Sequence, residues 1–554
     1  MFSSSFRTKL EVKVEIKGLP IDEREMVLDL LDKVRKRMFP PEKIRELDEK
    51  EIFPEEIIRE LLGPDIGLQL LFIPEEYDGM GGGARDIAVI SEQMAKICLG
   101  LATSFLAIHL GTDPILVGST DEQKAKWLNK IVDDGAIVSY AVTEPEAGSN
   151  LANLKTKADP ITDENGTVIS YRINGNKQFI SNGRFADFLT VLAQTPEGPS
   201  FFIVENNTEG YQPGKPEVKH GIRCANTSPI AFENVVVPAE NLVGEKPGEG
   251  MNQANEVFGY TRLMVAAFGL GAGMAVLEKV IPYAKERIQF GSPLIEKAGY
   301  THKLILPHVI NLEAARAYIE EVAYRLDAGE RDLQTEGSIA KLFATEAGNK
   351  CADDGIQALG GYGYITEYDV EKVKRDVKIT TIYEGTSEIQ QLIIATYRWR
   401  STVKSKGKFY NDIAEEMKSI HLENDFLGAG IVGDSIRGLN NLIQQVHKKR
   451  LTRHQHIMFM LADMMTYCEV AAALIRKITR KDPSTTANRL QLISRLFSTD
   501  TAQLCHENAS IIVYGSDKFS DDESKDIIKL FDFNPSLIFK DRLNDLDQLL
   551  GEIV

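Results

Sequence analysis

QALGGYGYITEYDVEKVKRD (357–376), followed by IYEGTSEIQQLIIA (382–395), is the stretch of sequence that constrains the fold most strongly. Its Gly360-Gly361 pair predicts a helix end where backbone can approach a ligand, because glycine accepts conformations closed to other residues. Glu384 stands just before an apolar helical period, where an acidic residue is often only a helix cap. The stretch therefore predicts either a capped helix start or a carboxylate presented to a site.

Two earlier segments combine turns with hydroxyl or aromatic side chains. YAVTEPEAGSN (140–150) runs from a predicted strand into a turn, and the hydroxyls of Thr143 and Ser149 suit a polar ring or a phosphate. KQFISNG (177–183) predicts a strand with Phe179 and Ser181 on one face, a suitable wall for a planar ring. Taken singly, each segment is explained equally well by an ordinary turn and a buried strand.

Hydrophobic periodicity divides the chain into four consecutive blocks. Helical periods come first, short β-rich runs bounded by Gly, Asn, Asp and Pro follow, and long amphipathic helices return before a last helical block. The blocks predict an N-terminal helical domain, a small antiparallel β domain, a helical bundle and a helical extension: residues 1–136, 137–245, 246–400 and 401–554.

Some helix positions are predicted more closely. Residues 22–37 predict a helix with Met26, Leu28, Leu31 and Val34 on its apolar face, and Asp121 is expected to cap a helix over 122–133. A core helix is expected over 456–478, because charged and polar residues interrupt its apolar character. The bundle helices are predicted at 250–287, 303–328, 334–358 and 385–397.

Composition and charge exclude some classes of function. Hydrophobic residues make up 43% and charged residues 26%, as in a folded, soluble protein, and the net charge of −17 argues against a nucleic-acid partner. The five cysteines are odd in number and lack a Cys-x-x-Cys pair, which favours reduced core thiols, and no metal site is predicted. The N-terminal 18 residues lack the apolar region of a secretory signal and no uninterrupted apolar run reaches about 18 residues, so a cytoplasmic location is expected.

Four motifs together resemble the acyl-CoA dehydrogenase family over roughly residues 30–400: TEPEAGS (143–149), ERIQFG (286–291), QALGG (357–361) and YEGTSEIQ (383–390). The resemblance implies a mainly α protein with a central β domain. It would have an N-terminal helical domain, a middle β-barrel domain and a C-terminal four-helix bundle with FAD between them. The extra helical domain would follow the bundle.

The resemblance also assigns residues to roles. Arg262, Tyr383, Gly385 and Ser149 would contact the substrate. The stretch 292–304 lacks the glutamine that many members use for flavin contact between subunits. The residues implied to bind FAD are Tyr140, Val142, Thr143, Gly148, Ser149, Phe179, Ile180, Ser181, Arg287, Phe290, Gln357, Gly360, Gly361, Thr386 and Glu388.

In such a member Glu384 would be the catalytic base that removes the weakly acidic α-proton of an acyl thioester. Its own backbone N–H and a flavin hydroxyl would stabilise the developing enolate oxygen. The β-hydrogen would leave as hydride to the flavin, giving trans-2-enoyl-CoA in fatty-acid β-oxidation. Thr261 occupies the helix position that isovaleryl-type relatives use for the base, which favours unbranched substrates. The expected pocket floor, 98–111, offers no Arg or Lys to pair an ω-carboxylate.

The extension resembles that of very-long-chain acyl-CoA dehydrogenases, which implies a homodimer, with a tetramer as the alternative. Its basic run HKKRLTRHQH (447–456) could contact anionic lipid, although a solvated helix face is favoured. Electron-transfer flavoprotein is the implied electron acceptor. Glu233 matches a position near its docking surface, and an ordinary exposed carboxylate at a strand end explains that residue equally well. Three alternatives share the scaffold: an acyl-CoA oxidase, a DNA-associated flavoprotein and a scaffold protein without flavin.

Overall fold

The computed structural model describes residues 16–480 and 488–554, without the side chains of 258–260. The N-terminal stretch interpreted above as lacking a secretory signal lies almost wholly outside the described residues. Between residues 16 and 136, six α-helices form the first block: α1 Ile21–Met38, α2 Pro41–Glu49, α3 Glu55–Leu62, α4 Ala84–Ile97, α5 Leu99–Gly118 and α6 Asp121–Asp134.

Two details of these helices differ from the prediction. In α1 the buried side chains are Val27, Leu31, Val34 and Met38, whereas Met26 is 62% exposed. Leu31 and Val34 are therefore buried as predicted and Leu28 is half-buried, but Val27 takes the place predicted for Met26, because adjacent apolar residues fit the same helical period. The cap of α6 is Thr120, not Asp121: its hydroxyl accepts the Gln123 N–H, and the Gln123 side chain accepts the Thr120 N–H in return.

The middle block is one seven-stranded sheet with strand order β1-β4-β2-β3-β7-β6, and β5 pairs with β4. It is mixed rather than antiparallel, because β1 runs parallel to β4, with Val138 opposite Phe188. The predicted antiparallel arrangement was wrong because strand direction is set by pairing between segments that are distant in the sequence. The strands are β1 Val138–Ala141, β2 Lys157–Thr162, β3 Val168–Ser181, β4 Phe188–Thr195, β5 Gly198–Glu205, β6 Tyr211–Pro213 and β7 Thr227–Pro238.

The third block is a bundle in which the helix that carries Gly269 and the helix that carries Gly348 approach each other very closely. A Cβ on Gly348 would lie 2.2 Å from the Gly269 carbonyl oxygen, so only glycine allows this separation. The helix predicted at 303–328 is broken at Ile305 into two helices. The elements are α7 Gly250–Glu286, β8 Ile288–Gln289, β9 Ser292–Pro293, α8 Ala298–Leu304, α9 Leu306–Asp327, α10 Gln334–Leu359, α11 Val370–Val377 and α12 Ser387–Lys404.

A buried ionic network attaches the extension to the bundle. Arg398 of α12 donates to both carboxylate oxygens of Glu469, at 2.7 and 2.8 Å, and also pairs with Glu336 at 3.1 Å. The Tyr410 hydroxyl donates to Glu469 at 2.9 Å, so the buried carboxylate is well supplied with donors. The extension consists of α13 Lys408–Glu423, α14 Ala429–Lys448, α15 Gln455–Thr479, α16 Asn488–Gly515, α17 Asp521–Lys529, α18 Pro535–Ile538 and α19 Arg542–Gly551.

Three helices in the described part of the chain are long and apolar enough to cross a membrane by length and composition alone. They are α5, α7 and α15, and 89, 78 and 83% of their most apolar windows are buried inside the protein. The burial of α15 agrees with the core helix predicted at 456–478. All five cysteines are buried free thiols, as predicted.

Candidate active site

Glu384 lies in a tight turn between α11 and α12, two residues before the helix cap. Its φ is +54° and that of Gly385 is +89°, so two consecutive residues take left-handed backbone conformations. Thr386 is the N-cap of α12, and its hydroxyl accepts the Ile389 N–H at 3.4 Å. The interpretation of Glu384 as a cap and the predicted helix start at 385 are therefore wrong. A strained, non-glycine backbone at this point is typical of a functional residue.

Two buried side chains hold this turn by its carbonyl groups. Gln390 Nε2 donates to the carbonyl oxygens of Glu384 at 3.0 Å and of Gly385 at 2.9 Å. Lys341 Nζ, from α10, donates to the same Gly385 carbonyl. A Cβ on Gly385 would lie 2.7 Å from Gln390 Nε2, so glycine is required by both conformation and space. No described residue accepts a hydrogen bond from the Glu384 N–H, which leaves that donor available to a ligand.

The Glu384 carboxylate faces a mixture of burial and positive charge. Thr261 Oγ1 donates to its Oε2 over a long 3.4 Å. Burial raises the pKa of Glu384 above the ordinary carboxyl value, while the nearby charges of Lys341 and Arg262 oppose the rise. A half-buried carboxyl with a raised pKa is suited to accept a proton.

The structure brings the segments 140–150 and 177–183 together along the end of the sheet. The Gln178 N–H donates to the Thr143 carbonyl at 2.9 Å, and Ser139 Oγ donates to the Ser181 carbonyl at 2.8 Å. Lys177 is fully buried and forms an ion pair with Glu144 at 2.7 Å. The two segments therefore form one rigid wall.

Phe179 projects from this wall. Its side chain is 62% exposed and its φ is +59°, and the register of β3 shifts between Lys177 and Ile180. Simple alternation, from which a common face for Phe179 and Ser181 was predicted, does not apply across this bulge. Ile180, by contrast, is buried in the sheet.

Three models of one family match the chain in order. Their descriptions are acyl-CoA dehydrogenase, N-terminal domain (residues 21–134), middle domain (139–235) and C-terminal domain (248–397). An acyl-CoA dehydrogenase of Bacillus subtilis is 39% identical over 340 residues, which is 60% of this chain and 86% of the relative. The chain belongs to the acyl-CoA dehydrogenase family. It is therefore an FAD-dependent oxidoreductase that acts on acyl-CoA thioesters.

Solved structures agree with this assignment. The butyryl-CoA dehydrogenase of Megasphaera elsdenii shares 32% identity at a TM-score of 0.64, over 68% of this chain and 98% of its own. An acyl-CoA dehydrogenase of Bacillus anthracis, complexed with FAD, superposes with a TM-score of 0.81 over 98% of both chains at 23% identity. The second likeness shows that the fold with the extension recurs in an acyl-CoA dehydrogenase.

The wall described above fits the FAD of this family. Phe179 offers an open aromatic face, Ser149 is exposed, and nothing lies within 4 Å of a Cβ built on Gly148. Tyr140 and Val142 lie on β1 and immediately after it, where Lys177 Nζ fixes the Val142 carbonyl at 3.0 Å. An exposed aromatic ring beside hydroxyls and open glycine space can hold a planar, polar cofactor.

Most of the remaining residues expected to contact FAD lie at or just after the C-terminal ends of α7 and α10. The Arg287 guanidinium lies 5.8 Å from the centre of the Tyr362 ring. Phe290 is 99% exposed with φ at +50°, and Gln357 is exposed in the last turn of α10. Nothing lies within 4 Å of a Cβ on Gly360 or Gly361, so this end of the bundle also leaves open space. Thr386 and Glu388 lie apart from this group, at the start of α12 beside Glu384.

Three of the residues expected to contact the substrate, Arg262, Tyr383 and Gly385, lie close to Glu384. Arg262 is buried, and its Nη1 donates to Ser338 Oγ at 3.3 Å. Tyr383 immediately precedes Glu384, and burial raises the pKa of its hydroxyl. The expected pocket floor, 98–111, coincides with most of α5, whose residues Leu99–Ile115 are all buried.

Two residues of this site were not predicted from sequence: Lys341 and Gln390, which hold the Glu384 turn. On α5, within the expected pocket floor, His109 Nε2 lies 2.9 Å from Asp113 Oδ1. A signal for Lys341 does exist: it is a lysine within the otherwise apolar run GSIAKLFA (337–344). Lysine is almost never fully buried without a specific partner.

Proposed function

We propose that this protein dehydrogenates unbranched fatty acyl-CoA to trans-2-enoyl-CoA, with Glu384 as the base that removes the α-proton. The observation that carries the proposal is the Glu384 turn. It presents a carboxylate of raised pKa and an N–H without an acceptor among the described residues. The carboxylate would take the α-proton, while the N–H would donate to the thioester oxygen as negative charge develops there. FAD, held by the Phe179 wall, supplies the hydride acceptor.

The preference for unbranched acyl chains is supported by Thr261. Its hydroxyl donates to Glu384, so a threonine rather than a second carboxylate occupies that position of α7. The walls of α5 offer buried apolar side chains, including Leu101, Phe105 and Leu106. An ω-carboxylate would need a cation there to offset its desolvation.

The test is a panel of C4 to C20 acyl-CoAs with a dye acceptor, on the wild type and on Glu384→Gln. The substitution is expected to lower turnover per bound flavin by about 10²- to 10⁴-fold, the usual contribution of a general base. Flavin content should remain unchanged, because Glu384 is not expected to hold FAD. Bleaching of the flavin by substrate at the wild-type rate in Glu384→Gln would refute the proposed base.

For the electron acceptor we propose electron-transfer flavoprotein. Glu233 is exposed on β7 beside Asn234, whose φ is +55°, and the adjoining groove is also lined by Glu209 and Gln212. Such an exposed acidic rim suits a protein partner with basic groups. Peroxide release compared with reduction of electron-transfer flavoprotein tests this. Rapid peroxide release without reduction of the flavoprotein would instead identify an acyl-CoA oxidase.

We further propose a cytoplasmic homodimer. The almost fully exposed Phe290 ring on the β8–β9 hairpin supports the presence of a second subunit, because such a ring is normally covered. The basic run 447–456 forms the turn between α14 and α15, where His447, Lys448 and Arg450 are exposed. Sedimentation gives the subunit number, and co-sedimentation with anionic vesicles tests contact with membranes.

A further inference from the structure

Lys341 differs from the other deeply buried lysines of the protein. Lys177 pairs with Glu144, and Lys372 pairs with Asp376. Lys341 is fully buried on α10, yet no carboxylate oxygen of the described residues lies within 4.0 Å of its Nζ, the limit for an ion pair. Its Nζ donates instead to the Gly385 carbonyl. Burying an ammonium group without a close anion costs folding free energy, so we expect Lys341 to have a function in the site.

The face of α10 that carries Lys341 reaches the catalytic turn at one end and Arg262 at the other. Gln334, Ser338 and Lys341 follow one another at spacings of four and three residues, which places them on one side of the helix. Arg262 Nη1 donates to the Gln334 carbonyl at 3.5 Å and to Ser338 Oγ at 3.3 Å. One helix face therefore fixes both cations that lie near the Glu384 carboxylate.

We propose that Lys341 is a positioning residue for the base, holding the Gly385 carbonyl inward so that the left-handed turn presents the Glu384 carboxylate and N–H to the same substrate. This inference rests on the proposed role of Glu384. With the Gly385 carbonyl fixed by Lys341 and Gln390, the peptide groups of the turn cannot rotate freely. Without Lys341, Gln390 alone holds that carbonyl.

The positive charge of Lys341 also affects Glu384, because it favours the ionised carboxylate while the hydrogen bond holds the turn. Glu384 faces Lys341 from α10, Arg262 from α7 and Asp113 from α5, and its neighbours Tyr140 and Tyr383 are uncharged phenols. Burial lowers the pKa of Lys341 to about 7, while Glu384 supports its charged form and Arg262 opposes it; Glu346 and Glu388 also favour the charge. Removing this cation raises the pKa of Glu384 further, because one of the two positive charges that favour the carboxylate is lost.

The test compares Lys341→Met, which removes charge and donor, with Lys341→Arg, which keeps both. Flavin reduction by acyl-CoA is followed by stopped flow per bound flavin, with kcat, KM and the acid limb of kcat/KM between pH 5 and 9. Misplacement of a catalytic group by about 1 Å costs on the order of 100-fold in rate, so Lys341→Met is expected to lose about 10- to 100-fold in kcat. KM should change less, the acid limb should move to higher pH, and Lys341→Arg should recover part of the rate.

Lys372→Met is the matched control, since it also removes a buried lysine but one that lies on α11 and pairs with Asp376. It is expected to lower thermal stability without changing the acid limb or turnover per bound flavin. If Lys341→Met fails to fold, Lys341→Gln, which keeps a polar group in the buried site, takes its place. Wild-type turnover per bound flavin and an unmoved acid limb in either variant would overturn the proposal.

Failure of this inference is distinguishable from failure of the proposed function. If Glu384→Gln loses turnover while Lys341→Met does not, only the positioning role is wrong. If Glu384→Gln keeps wild-type turnover, the assignment of the base fails and the positioning role fails with it.

Discussion

Replacing Gly385 by alanine separates the geometry of the Glu384 turn from the chemistry proposed for the Glu384 carboxylate. The φ of Gly385 is +89°, and a Cβ there would lie 2.7 Å from Gln390 Nε2. An L-residue in the left-handed region costs roughly 1–2 kcal/mol. Displacing Gln390 would also weaken two hydrogen bonds to the turn, each worth about 1 kcal/mol. The local cost is therefore about 3 kcal/mol, which corresponds to a factor of about 100 in rate if it falls on the reacting geometry.

A matched control exists in the loop between β2 and β3. Gly166 has a φ of +81°, but nothing lies within 4 Å of a Cβ built on it, so alanine there carries only the conformational cost. The assay is flavin reduction by acyl-CoA per bound flavin, together with the temperature at which flavin is released. Gly385→Ala is expected to lose about 100-fold in reduction rate, and Gly166→Ala should keep the wild-type rate. Equal reduction rates in the two variants would refute the argument that the turn positions the base.

Three other predictions concern the pKa of Glu384, the hydrogen bond that it accepts from Thr261, and the ionic network around Arg398. The raised pKa of Glu384 predicts an acid limb of kcat/KM above the ordinary carboxyl range, since only the deprotonated base is active; a limb in that ordinary range would contradict it. Thr261→Val removes a hydrogen bond that favours the carboxylate, so the acid limb should move upward, and only slightly, because that bond is long; a downward shift would contradict this. Arg398→Met should destabilise the protein by about 3–5 kcal/mol by leaving Glu469 buried without its cation, although Glu336 keeps its pair with Arg325, whereas Lys408→Met breaks only an exposed pair. Earlier thermal unfolding and faster proteolysis of the extension in Arg398→Met alone would agree with that prediction.

Local patterns predicted the features that depend on local sequence. The end of α10 at Leu359, followed by Gly360 at a φ of +62°, was predicted from the double glycine. The order of helical and β-rich blocks followed from periodicity in the same way. The parallel pairing of β1 with β4 was not predictable, because it joins segments about 50 residues apart and depends on which edge of the sheet is free.

The Glu384 turn shows why sequence alone could not decide between a helix cap and a presented carboxylate at this position. The residues EGTS resemble a helix start, and Thr386 does cap α12, so the local pattern was correct for the helix. The left-handed conformation of Glu384 depends on donors from Lys341, 43 positions earlier in the sequence, and from Gln390. Because the contact with Lys341 is tertiary, the motif pointed to Glu384 but not to the backbone conformation that presents it.

The charges around Glu384 bear on its proposed role as a base. Burial raises the pKa of the carboxyl group, and substrate binding, which excludes water, would raise it further. Lys341 and Arg262 oppose that rise and so favour the ionised carboxylate. The Lys341 ammonium lies more than 4.0 Å from the Glu384 carboxylate oxygens, because it is held by the Gly385 carbonyl. A direct ion pair between the two groups would make the carboxylate a weaker base. A cation held near Glu384 by the backbone of the same turn would therefore favour the ionised carboxylate without pairing with it directly.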